Sequence, residues 1–149
     1  MKLKTAEKQF KLTTRDYAQL AAFRRALREF LHFSDAAAAA AGLTTQHYQA
    51  MLILRACPDT ASVTINDLAH ELYIKHNSAV GLVDRLVEGN LIVRVPSTAD
   101  RRKVELRLTT RGRQVLAKLA GMHSQELRRV GPILKRFLSQ LSRPPAAPR

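Results

Sequence analysis

Apolar residues recur at helical spacing from position 17 onward, as Tyr17, Leu20, Phe23, Leu27, Phe30 and Leu31, with Arg24, Arg25 and Arg28 between them. Thr13 or Thr14 is placed to cap this helix, and Asp16 sits in its first turn, where the helix dipole favours negative charge. The alanine run Ala36–Ala41 extends the helix and Gly42 stops it, which predicts a helix of roughly 25 residues. That is long for a small domain, and such a helix points to an oligomer. A second helix is expected from a Thr44 cap, with Tyr48, Met51, Leu52 and Leu54 as core, ending near Cys57-Pro58 where proline cannot continue the ladder. Ser62-Val63-Thr64 reads as a short strand. Thr64 also fits as the cap of a two-turn helix carrying Leu68, Ala69 and Leu72, with Asp67 three residues later as in a capping box.

After the connector Tyr73-Ile74-Lys75-His76, a third short helix is predicted from about Asn77 to Glu88, closed by Gly89. Ala79, Leu82, Val83 and Leu86 share one face, and Asn77, Gly81, Asp84, Arg85 and Glu88 share the other. Two short helices joined by a tight turn, the second presenting polar residues at its start, match a helix-turn-helix. The period then becomes that of strands. Leu91–Val95 is β-rich, Pro96–Arg102 is turn-like, and Lys103–Leu108 alternates, with Val104, Leu106 and Leu108 on one face and Lys103, Glu105 and Arg107 on the other. A basic-tipped hairpin after a helix-turn-helix is a wing. Thr109 or Thr110 then caps a long helical region from Val115 to Leu141, whose spacing Gly131-Pro132 interrupts. Residues 143–149 are too proline-rich to fold alone, and disorder is expected there.

Composition narrows the class. The chain has 149 residues, 46% of them hydrophobic, enough for one domain with a real core and too apolar for disorder. The single cysteine, Cys57, excludes an internal disulfide and a cysteine-cluster metal site, and a buried inert thiol is the expected role. The five histidines show no metal-ligand spacing, so no metal and no cofactor is expected. No apolar run reaches the ~20 residues of a membrane span, and the lysine-rich start lacks an apolar signal core. A soluble, intracellular protein is the expected setting. Gly-rich phosphate loops, nucleophile elbows and paired carboxylates beside a histidine are missing from the sequence, so no catalytic residues are expected.

The net charge of +13 is segmental. Residues 1–15 carry five basic and one acidic side chain, residues 75–113 nine and four, and residues 114–149 seven and one. Residues 16–74, with four basic and six acidic, are net negative. Positive charge therefore collects on the third helix and wing, as well as at both ends, which suggests a polyanionic partner.

The order of elements and four local strings resemble the MarR family of bacterial transcription regulators. The strings are Leu82-Val83-Asp84-Arg85-Leu86, Gly89-Asn90-Leu91-Ile92, Asp100-Arg101-Arg102 and Leu108-Thr109-Thr110-Arg111-Gly112, and the likeness runs from about Asp16 to Leu141. It implies a mainly α fold with a small β-wing: a winged helix-turn-helix with long N- and C-terminal dimerisation helices. The expected partition is a basic arm at 1–12, one domain at 13–142 and the tail at 143–149. Within the domain, dimerisation helices span about 14–41 and 110–141, and a DNA-binding lobe spans about 62–108. The resemblance also implies a homodimer on a pseudo-palindromic operator, a repressor released by a small aromatic or phenolic effector. The alternative is a non-specific architectural nucleic-acid-binding protein.

On this footing the start of the third helix enters the major groove. Asn77 is placed to pair with adenine, Ser78 with a base or phosphate, Val80 with a thymine methyl, and His76 with a phosphate. Asn77 or Ser78 could equally serve only as a helix cap. Gly81 departs from the family pattern, which frequently has a polar or basic side chain there, and allows close backbone approach. Arg101 and Arg102 match the family's minor-groove and phosphate contacts, with Asp100 holding one arginine in place. Thr64, Lys75, Arg85 and Lys103 complete the expected DNA-binding set, while Arg94 and Arg107 are expected only to solvate the strands. His47 and Tyr48 are the expected effector residues.

Overall fold

Among the residues that the structure, a computed structural model, describes (12–141, the Leu141 side chain apart), five helices and one two-stranded sheet follow in order. They are α1 (Thr14–Ala40), α2 (Thr45–Ala56), α3 (Ile65–Glu71), α4 (His76–Glu88), β1 (Ile92–Pro96), β2 (Val104–Leu108) and α5 (Thr110–Leu141). This is the mainly α winged helix-turn-helix with long terminal helices that the pattern predicts. The N-terminal lysines Lys2, Lys4, Lys8 and Lys11, and the tail 143–149, lie outside the described residues. No helix among the described residues is long and apolar enough to cross a membrane.

The helix starts follow local chemistry. Thr13, not Thr14, caps α1: its N–H and hydroxyl donate to Asp16 Oδ2 at 2.7 and 2.8 Å, and the Asp16 N–H returns to Thr13 Oγ1 at 3.3 Å. Thr44 caps α2 and Thr64 caps α3, each in a capping box closed by the third helical residue, His47 and Asp67 respectively. Thr109 caps α5, its hydroxyl accepting the Gly112 N–H at 2.9 Å.

Three helix ends, those of α1, α3 and α4, share one device. In α1 the N–H of Leu43 reaches Ala38 O at 2.9 Å and that of Gly42 reaches Ala39 O at 2.9 Å. The same paired bonds close α3 through Ile74 and Tyr73, and α4 through Leu91 and Asn90. Each ending puts one residue at positive φ: Gly42 at 72°, Tyr73 at 53° and Asn90 at 54°. Gly89, expected to close α4, is its C-cap in right-handed conformation, and Asn90 takes the left-handed turn. Asparagine tolerates that turn, whereas tyrosine does so at a cost of about 1–2 kcal/mol.

The chain divides into two compact units, residues 34–124 and residues 1–33 with 125–149. In the first, α3 and α4 pack together and α4 packs on β1, around Met51, Leu68, Val83, Leu86 and Ile92, all under 2% exposed. β1 pairs antiparallel with β2 from Ile92↔Leu108 to Pro96↔Val104, so Pro96, expected in the turn, ends the strand instead. The expected strand at Ser62–Thr64 does not form. That segment runs extended beside β2 and makes one ladder-like bond, Leu106 N–H to Val63 O at 2.8 Å. His123, buried at 4% exposure, donates its Nδ1–H to Leu119 O (2.7 Å), shares a hydrogen bond with Ser34 Oγ through Nε2 (2.8 Å) and stacks on Tyr48 at 4.2 Å, tying α1, α2 and α5 within this unit.

In the second unit Phe23 stacks on Phe137 at 4.4 Å, with Ala26 and Val130 buried alongside. Arg129 holds the Glu126 carboxylate through Nε and Nη2, and reaches Glu29 at 3.9 Å. Pro132 lies inside α5, which continues through it, so the break in spacing at Gly131-Pro132 does not end the helix. Tyr17, Leu31 and Leu138 remain 61, 53 and 55% exposed.

Candidate nucleic-acid interface

The chemistry collects on α4 and the wing. α4 buries Ala79, Leu82, Val83 and Leu86, as its sequence spacing requires, and leaves Asn77, Gly81, Asp84, Arg85 and Glu88 exposed. It begins at His76, one residue before the expected start, and its N-cap Lys75 makes no side-chain capping bond. Neither Asn77 nor Ser78 is therefore the cap. Both lie in the first turn with exposed side chains, next to backbone N–H groups that have no intrahelical partner. Val80 is half-buried on the flank of this face. A Cβ at Gly81 would meet nothing within 4 Å, so the middle of the outer face is open.

Two ion pairs shape the approaches. Asp84 Oδ1 lies 2.5 Å from Arg94 Nη2 and joins α4 to β1, while Arg107 Nη2 lies 3.1 Å from Glu105 Oε2. Arg94 and Arg107, expected merely to solvate the strands, are thus both committed to carboxylates. The exposed Arg85 acts on the buried His47: burial first, and this guanidinium second, hold the imidazole below its ordinary pKa.

The wing tip is built around Asp100. Its Oδ1 accepts the Arg102 N–H at 3.1 Å and Nε at 3.3 Å, and the Arg102 side chain remains 92% exposed. Arg101 and Lys103 flank it, also exposed. A cleft of about 410 Å³ between the tip and the start of α3 is lined by Thr64, Asn66, Asp67, His76, Arg102 and Lys103. It brings four of the expected residues to one place: Thr64, His76, Arg102 and Lys103. The Thr64 hydroxyl is engaged by its own cap, where with the Thr64 N–H it holds the Asp67 carboxyl below the usual carboxylate range, Lys103 and His70 adding to the effect.

The expected effector pair has structural partners. His47 Nδ1 accepts the Thr44 N–H at 3.0 Å, and Tyr48 stacks on His123, so both are buried within the first unit. Cys57, expected to be buried, is half-buried at the C-cap of α2, with its thiol 3.6 Å from Pro58 O.

Two polar residues of the wing, Glu105 and Ser97, and Asn66 at the start of α3 escaped the sequence pattern. Glu105 was placed on the solvent face by alternation, but it is 7% exposed and Val104 is 44% exposed. The outer edge of β2 faces the 62–64 segment, so both Glu105 and Leu106 are covered. Ser97, 5% exposed, was read only as part of the turn, and Asn66, which lines the cleft, carried no reading of its own. Period alone carries no signal for any of them.

A model of the MarR family matches residues 41–103. This segment belongs to the MarR family. The match to the MarR family contains α2, α3, α4, β1 and the wing tip as far as Lys103, hence every expected DNA-contacting residue. The HTH-type transcriptional regulator FarR of Neisseria gonorrhoeae is 31% identical over 75 residues, 50% of this chain and 49% of that protein. The match thus spans about half the length of this curated relative. Two solved structures share the fold over most of the chain. AbsC, a MarR family transcriptional regulator from Streptomyces coelicolor, is 22% identical with a TM-score of 0.69, over 89% of this chain and 90% of AbsC. A mutant of Staphylococcus aureus MepR bound to an oligodeoxyribonucleotide is 21% identical with a TM-score of 0.67, over 88% of this chain and all (100%) of MepR.

Proposed function

We propose that the chain is a sequence-specific regulator of transcription that binds double-stranded DNA as a homodimer, with α4 in the major groove and the wing tip against the adjacent backbone or minor groove. The observation that carries this is the first turn of α4: His76, Asn77 and Ser78 are exposed, uninvolved in capping, and followed by the open backbone of Gly81. The FarR likeness and the DNA-bound MepR relative support the same reading. Two such helices, about 34 Å apart in a dimer, would address successive major grooves on one face of a pseudo-palindrome. Repression, and its release by an aromatic or phenolic effector near His47 and Tyr48, complete the proposal; catalysis forms no part of it.

The test is footprinting on DNA flanking the gene, with unrelated duplex as competitor. Protection of a palindrome that survives competitor in about thousandfold excess supports a sequence-specific regulator. Protection that disappears with any competitor in proportion to its mass supports the architectural alternative. Adding phenolic acids to the protected complex tests the effector.

A further inference from the structure

Glu105, 7% exposed, is the one buried carboxylate among the described residues. The Arg107 guanidinium donates to it at 3.1 Å, and the Ser97 hydroxyl first, then Arg107 and the Ser62 hydroxyl, hold its carboxyl below the usual range. Ser97 is itself buried, and its oxygen lies 3.3 Å from the backbone nitrogens of both Ala99 and Asp100. A hydroxyl has one proton and two acceptor lone pairs. An ionised carboxylate can only accept, so it takes the Ser97 proton and leaves both lone pairs for the two N–H groups of the tip. The next link is the Asp100 carboxylate, which holds the backbone and Nε of Arg102. Bonds from the Ser97 N–H to Lys103 O and from the Lys103 N–H to Asp100 O, both 2.9 Å, close the same turn.

We propose that Glu105 and Ser97 are positioning residues for DNA binding: the buried carboxylate orients the Ser97 hydroxyl, which fixes the turn at 97–103 and so presents Arg102 to the duplex. This rests on the reading that the wing tip meets DNA. Its physical content is pre-organisation. An arginine that is 92% exposed would otherwise lose its rotamer freedom on binding, and a turn fixed from below removes part of that loss beforehand.

The experiment is a double-mutant cycle on the full chain, read by fluorescence anisotropy with a labelled duplex from the region upstream of the gene. An unrelated duplex of equal length serves as the second probe. Ser97→Ala should weaken binding roughly three- to tenfold, the size of coupling within one network. In an Arg102→Ala background the same substitution should change almost nothing. Ser97→Thr, which keeps a hydroxyl, should restore affinity. Glu105→Gln, which keeps an accepting oxygen, should retain affinity where Glu105→Leu loses it. A Ser97→Ala effect that is equally large with and without Arg102 would overturn the proposal, because the residue would then act through general stability. An Arg102→Ala protein that binds both duplexes unchanged would instead overturn the wing reading itself. If Glu105→Leu fails to fold, the Ser97–Arg102 cycle decides alone.

Discussion

A Cβ atom on Gly112 would lie 1.9 Å from the carbonyl oxygen of Leu91. Only glycine lets the first turn of α5 approach the start of β1 this closely. Thr109 uses the same approach: its N–H donates to Leu91 O at 3.0 Å and its hydroxyl to Asn90 O at 2.7 Å. The junction fixes where the wing leaves the helices. Gly112→Ala should therefore destabilise the protein by about 1–3 kcal/mol, since the obstacle is backbone and cannot swing aside. Chemical denaturation measures this, and an unchanged midpoint would mean the approach is looser than the structure shows.

Gly81 is the opposite case. A side chain there meets open space on the exposed face of α4, and glycine inside a helix costs about 1 kcal/mol relative to alanine. Gly81→Arg should leave the thermal midpoint equal or higher while altering the DNA footprint. A raised midpoint with an identical footprint and affinity would place Gly81 away from the groove.

The contrast between these glycines shows what was legible in the sequence. Helix identity and the buried face of α4 followed from spacing, because Ala79, Leu82, Val83 and Leu86 obey one period and all turn into one core. The strings Gly89–Ile92 and Leu108–Gly112 stood out as a resemblance, yet their reason lies in one contact between residues about twenty positions apart. Glu105 was misplaced because alternation assumes one covered face, and in β2 the neighbouring 62–64 segment covers the other. Gly89 closes α4 as its spacing suggests, but as a right-handed C-cap, and the left-handed turn falls one residue later at Asn90, where the sequence carries no signal for it. Tyr73 had no sequence signal: its positive φ follows from the same ending of α3.

His47 makes stability depend on pH. Its Nδ1 must be unprotonated to accept the Thr44 N–H, and burial together with Arg85 lowers its pKa from 6.5. As pH falls below 6.5 the unfolded chain takes up the proton before the folded one does. The stabilisation is therefore complete above that value and is lost as pH drops through it towards the lower folded value. Glutamine suits a capping box and does not titrate. Between about pH 8 and about pH 5, the urea midpoint of His47→Gln should fall less than that of the wild type. Parallel curves would remove His47 as a cause.

The unit formed by the start of α1 and the end of α5 leaves Tyr17, Leu31, Leu127, Ile133 and Leu138 exposed on helices that also bury Ala26, Val130 and Phe137. Monomers seldom leave so much apolar surface on one unit, and a second copy is the proposed cover. Leu138→Glu should shift the mass measured by light scattering from dimer towards monomer. It should weaken operator binding, while an isolated half-site is bound as before. A wild-type protein that is monomeric at every concentration would remove the dimer from the proposed function.

Arg101 offers the cleanest electrostatic test, because substitution of this exposed wing-tip side chain should not disturb the Asp100–Arg102 bonds. If it meets a phosphate, its removal withdraws one released counterion per wing. The slope of log affinity against log salt should then become shallower by about 0.9 per contact, or roughly twice that for a dimer with both wings engaged. Arg101→Ala should also weaken binding more at low salt than at high salt, where the lost interaction is already screened. Titrations with one duplex over a range of potassium chloride concentrations supply both numbers. A weaker complex with an unchanged slope would assign Arg101 to groove shape without a phosphate contact, and no change in either would take it off the DNA.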